Sequence, residues 1–232
     1  MRVRFQLFPR LLVGACIFTS AALADLVPGS PFEVAINGTG FGNVSTLLTL
    51  QTANGQSTTE AGCIGFGNST TNCGIATDGK IKNTSSTEPV PLGVTASDLR
   101  FVFNASEPQG GSIDLTALQV YFFGNSSTPL FTASIPAGMT LTSTQQGTGN
   151  SGFVFELNSQ QASTVQGLLA SVTAIGAGFS ATGATGGQDT LFLETAPHLS
   201  AVPEPGTFGI AGIAFLGIVL LARRRRAPLT EA

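Results

Sequence analysis

The middle of this 232-residue chain predicts an all-β fold, a β-sandwich of the jelly-roll or Greek-key kind with one short crossing helix. Three observations carry that prediction. Apolar and polar residues alternate with a period of two over short runs, the pattern of strands buried on one face. Gly, Asn, Ser and Thr fill the stretches between the runs, where turns need them. Twelve of the 17 Phe lie between residues 25 and 202, enough large side chains for one core at this length.

The elements follow in chain order. Residues 1–24 read as a secretory signal peptide. Arg2, Arg4 and Arg10 stand without an acid, residues 11–18 are apolar apart from Gly14, and Ala22-Leu23-Ala24 offers a small-x-small cleavage site after Ala24. Such a peptide implies the general secretion machinery and signal peptidase as partners. Residues 25–196 read as the exported domain.

Within that domain, strands are expected first at 32–36 and 44–51. Leu99, Phe101 and Phe103 then alternate with Arg100, Val102 and Asn104. Leu118, Val120 and Phe122 alternate with Gln119, Tyr121 and Phe123. Phe131, Ala133 and Ile135 follow, and then Phe153, Phe155 and Leu157. Residues 160–171 break the rhythm: Ala162, Val165, Leu168 and Leu169 recur at helical spacing, with Ser159 placed as N-cap. Strands at 171–175 and 190–194 complete the set. No repeat of fixed period supports a solenoid instead.

Cys16 leaves with the signal peptide. Cys63 and Cys73 remain as an even pair in an oxidising compartment, so a disulfide is expected, closing a loop or hairpin tip. Metal binding by this pair would need further soft ligands, and the chain's one His is His198.

Residues 25–202 hold three cations, Lys80, Lys82 and Arg100, against eleven acids, a net charge of −8. An acidic exported body does not seek nucleic acid or anionic headgroups. His198 stands four residues before Val202, in the stalk, where a Ser-His-Asp device has no oriented base. No D-x-[DN]-x-[DN]-G loop marks a calcium site. Carboxylate pairs for glycoside hydrolysis meet in space and leave no spacing signal, and the scattered acids read as an acidic surface. With no Trp in the chain and Tyr121 as its one Tyr, the supply for a sugar-stacking platform is thin. The expectation is a protein without catalytic activity, cofactor or metal.

Residues 197–206 form a linker that carries Val202-Pro203-Glu204-Pro205-Gly206. Residues 205–222 are uncharged and would span about 27 Å as a helix, just short of a ~30 Å hydrocarbon core. A transmembrane helix is expected over 207–222. Arg223, Arg224, Arg225 and Arg226 open the tail 223–232 and hold it on the cytoplasmic side. The signal peptide requires the same topology. Pro203 and Pro205 keep the chain before the membrane extended, as a protease needs it, and Glu204 stays out of the bilayer.

Pro-Glu-Pro, one apolar helix and an Arg cluster, in that order at the C-terminus, resemble the PEP-CTERM sorting signal. The resemblance covers that end only, and residues 227–232 run past where such signals usually stop. It implies export by a Gram-negative, exopolysaccharide-making bacterium and transient insertion in the inner membrane. It also implies processing by exosortase, a membrane-embedded cysteine protease-transpeptidase. On this resemblance Val202, Pro203, Glu204 and Pro205 are the sorting motif, and the four arginines are the membrane-retention signal. Three readings of the body follow. It is a non-catalytic surface or extracellular-matrix protein of exopolysaccharide or biofilm, a carbohydrate-binding module of that matrix, or an extracellular hydrolase working with two carboxylates.

Overall fold

The computed structural model describes residues 25–36, 45–52, 59–71, 73–75, 77–185 and 187–196. Eleven strands are β1 (Leu26–Ala35), β2 (Ser45–Gln51), β3 (Thr59–Ile64), β4 (Lys80–Ile81), β5 (Leu99–Ala105), β6 (Ser112–Phe123), β7 (Pro129–Ser134), β8 (Met139–Thr142), β9 (Ser151–Leu157), β10 (Ala174–Thr182) and β11 (Gln188–Thr195). One helix, α1 (Ser159–Leu168), lies between β9 and β10. The first sheet runs β1-β9-β5-β11-β2-β4. The second runs β3-β10-β6-β7, with β8 beside the first half of β6. Every ladder is antiparallel.

The two sheets pack face to face. Phe101 of β5 meets Phe122 of β6 edge-on with ring centres 6.4 Å apart, and Phe103 meets Phe179 of β10 the same way at 5.0 Å. All four rings are fully buried. The alternation read in the sequence is therefore a real inward phase: Leu99, Phe101 and Phe103 on one sheet face Leu118, Val120 and Phe122 on the other. Three of the edge strands carry a protecting device. β1 carries Pro28 and Pro31, β4 has only two residues, and β7 opens on Pro129. Each device discourages pairing with a further strand.

The helix connects β9 in the first sheet to β10 in the second, as a crossing helix should. Its cap is Asn158 rather than Ser159. The Asn158 side chain accepts the Gln161 N–H at 2.9 Å, and Gln161 Oε1 accepts the Asn158 N–H at 2.8 Å. Asn one residue earlier closes the reciprocal box that Ser159 would leave open. The strand expected at 171–175 begins instead at Ala174 and runs to Thr182. Gly176 and Gly178 lie past the end of the expected strand. In the sheet they are the spots where a neighbour lies too close for a Cβ: one at Gly178 would sit 2.7 Å from Cys63 Cβ. β3, β4, β8 and the first half of β6 are not among the strands expected from the sequence, although Ile113 and Leu115 of β6 and Met139 and Leu141 of β8 do alternate with polar residues.

Among the described residues no helix is long and apolar enough to cross a membrane. The expected signal peptide with its Ala24 cleavage point, the linker, the helix at 207–222 and the Arg tail lie outside the described residues.

Candidate functional site

The outer face of the second sheet bears a groove. It exists because β6 is apolar on both faces at its end. Phe122 turns into the core, while Tyr121 and Phe123 turn outward and need a cover. The segment after β3 supplies it. Cys63 in β3 bonds to Cys73, ten residues on, with Cα atoms 6.0 Å apart. Between them a 3₁₀ turn (Phe66–Asn68) lays Phe66 against Phe123, ring centres 5.9 Å apart. Gly65 and Ser69 close that turn, N–H to carbonyl, at 2.7 Å. The Tyr121 hydroxyl donates to the Cys73 carbonyl, with Gln119 Oε1 2.6 Å away. Burial pushes the Tyr121 phenol up, so it stays a neutral donor. Gly178 lets Ile75 and Cys63 lie flat on the sheet.

The resulting groove has a volume of about 440 Å³. Ser69, Thr71, Gln119, Ser127 and Thr132 line it together with Phe66, Tyr121, Phe123 and Pro129. No lining residue is ionisable apart from the Tyr121 phenol. Among the described residues the lining is therefore uncharged.

A second constellation sits inside one end of the sandwich. Glu60 of β3, Asp189 of β11 and Glu107, two residues past β5, are all at most 2% exposed. Asp189 Oδ1 accepts the Ser106 N–H at 2.6 Å. Glu107 Oε1 accepts the Thr185 N–H at 3.0 Å and its hydroxyl at 3.2 Å. Neither oxygen of Glu60 has a donor. Desolvation first, then contact with Asp189 and the charge of Glu107, pushes the Glu60 carboxyl up to about 10. Desolvation also raises Glu107, against the two Thr185 bonds. At the sandwich rim the reverse holds. Burial raises Glu33, but the Ser151 hydroxyl, the Thr144 N–H and hydroxyl, and the Gln145 N–H outweigh it and leave this carboxyl below its ordinary value.

The buried carboxylates were missed in the sequence, where every acid read as surface. A signal was present. Asp189 keeps the phase of Leu191 and Leu193, and Glu60 that of Gly62 and Ile64, so both belong to inward-facing positions. Among the described residues no three His, Cys, Asp or Glu side chains gather closely enough to hold a metal ion. The expected Cys63–Cys73 disulfide is present. Val202, Pro203, Glu204, Pro205, Arg223, Arg224, Arg225 and Arg226 fall outside the described residues.

Comparison with known proteins identifies that end of the chain. The family model of the PEP-CTERM protein-sorting motif matches residues 201–226. The chain thus carries the sorting signal of exported proteins that exosortase targets, and with it export and membrane-associated sorting to the cell surface in Gram-negative bacteria. No curated protein and no solved structure matches the chain.

Proposed function

We propose that the chain is an exported protein trimmed by exosortase at its Pro-Glu-Pro motif, whose sandwich domain then serves without catalysis at the cell surface or in an exopolysaccharide matrix. The observation that carries this reading is the sorting motif at residues 201–226. Two features support the non-catalytic part. Among the described residues, none with a carboxylate or imidazole lines the open groove. The carboxylates that do approach each other, Glu60 and Asp189, are sealed between the sheets, where no glycosidic bond can reach them. The test is expression of the full chain in a host with exosortase, followed by intact mass and membrane fractionation. Wild type is expected to lose its C-terminal segment. A variant with Pro203→Ala and Pro205→Ala, or lacking residues 223–226, is expected to remain as precursor in the inner membrane. Normal trimming of both variants would remove the proposal.

The neutral, hydroxyl-lined groove favours one second reading, a carbohydrate-binding module within that matrix. Neutral polysaccharide is expected to bind the mature protein and to bind Phe66→Ala or Thr132→Ala at least tenfold more weakly, a loss of about 1.4 kcal/mol. Equal binding by all three proteins, or none by wild type, would dismiss it.

A further inference from the structure

The geometry points to a proton shared between Glu60 and Asp189, a carboxyl clasp that ties the two sheets together at one end of the sandwich and loosens as the medium turns alkaline. Glu60 stands on β3, an edge strand of the second sheet, opposite Ala181 of β10, and so faces the core. Asp189 stands on β11 of the first sheet, opposite Leu50 of β2, and faces the same core. The two side chains touch across the gap between the sheets.

Each acid beside Glu60 has its own donors. Asp189 takes the Ser106 N–H and Glu107 takes two bonds from Thr185. Glu60 is 0% exposed and takes none. Two ionised carboxylates in contact present only acceptors to each other, and burial makes that repulsion strong. One proton, taken from solvent as the chain folds, converts the contact into an O–H···O⁻ bond from Glu60 to Asp189. Such charge-assisted bonds are short and about twice as strong as neutral ones. The hydroxyl of Thr52, just past β2, is also buried without a partner among the described residues.

Among the described residues, the proton is the sole positive charge at this contact. β2 and β10, packed against β3, carry no ionisable residue. Lys80 of β4 and Asp78, whose backbone pairs with Ala61, are exposed on the outside. Asp189 and Glu107 are the groups that face Glu60 from β11 and from the turn after β5. Two carboxylates in contact, with no third ligand gathered round a common point among the described residues, suit a proton better than a metal ion.

The sign follows from linkage. In the unfolded chain Glu60 ionises near 4.5, whereas in the fold it holds its proton to about 10. The clasp therefore contributes fully below the lower value and is lost as pH rises through the upper one. Between them the folding constant falls by up to about tenfold per pH unit for this one proton. Glu33, held below its ordinary value, acts only at the acid end, where its contribution disappears as pH falls.

The experiment is thermal unfolding of the full chain in mild detergent, followed by far-UV circular dichroism between about pH 5 and pH 9. Wild type is expected to lose thermal stability steadily as pH rises. Glu60→Gln, which donates to Asp189 at any pH, is expected to show a flatter profile and to melt above wild type at the alkaline end. Equal slopes in the two proteins would overturn the clasp. A calcium-induced rise in melting temperature that needs Glu60 would overturn it too, in favour of a metal ion. Should the variant fail to fold, infrared spectroscopy of wild type decides. A protonated-carboxyl C=O band that persists at neutral pH supports the clasp, and its absence refutes it. Sorting at residues 201–226 is untouched by either result.

Discussion

Phe103 occupies the middle of β5 and meets Phe179 edge-on across the core, both rings without exposed surface. Removing such a ring deletes its transfer free energy and leaves a void that two hydrogen-bonded sheets cannot collapse around. Phe103→Ala is expected to cost about 3–5 kcal/mol, read from the shift of a denaturant midpoint. A loss below about 1 kcal/mol would mean that the sheets close around the gap. Charged residues matter less at this scale. Arg100 and Glu156 stand directly opposite on β5 and β9, Nε to Oε1 3.0 Å apart, and Glu156 also takes the Ser30 N–H at 3.2 Å. With both side chains partly solvated, that pair contributes at most about 1 kcal/mol.

The segment from Cys63 to Cys73 has too little local order to hold itself over the sheet. A three-residue 3₁₀ turn and one Gly65–Ser69 bond are its backbone structure. The disulfide supplies the rest by removing freedom from the unfolded chain, about 2.5–3 kcal/mol for a ring of this length. A variant with Cys63→Ser and Cys73→Ser is expected to lose that much stability. Hydrogen exchange is expected to speed up across residues 65–75 first, while β5 and β9 stay protected. Unchanged exchange in the segment would show that the contacts of Phe66 and Tyr121 hold it without the bond. The helix needs no such brace. Its reciprocal Asn158–Gln161 cap and the bond from the Ala96 N–H to Gln166 Oε1, 2.8 Å, fix its start and its outer side.

At the scale of the whole molecule, most partners in the sheets are far apart in the chain. β1 pairs with β9, β9 with β5, β5 with β11 and β11 with β2. Periodicity at Leu99, Phe101 and Phe103 announces a strand with a buried face, because side chains alternate along any extended backbone. It says nothing of which strand lies alongside, since that depends on loop closure and on the fit of facing layers. β10 shows the limit well. Gly176 and Gly178 leave room for Ile64 and Cys63 to press close, a requirement set by a neighbouring strand and invisible in the local sequence. The groove was half legible: the paired cysteines and the doubly apolar end of β6 were on view, whereas its polar lining joins Ser69 to Thr132, more than sixty residues on.

The address at the C-terminus could be read directly, because membrane entry and topology depend on contiguous runs of apolar and basic residues. The strand rhythm and the lone cysteine pair were equally local properties. Strand order, the cover over Tyr121 and the meeting of Glu60 with Asp189 were decided by packing alone. An acid's charge state follows from what surrounds it in space, and for a residue between two sheets those surroundings come from remote parts of the chain.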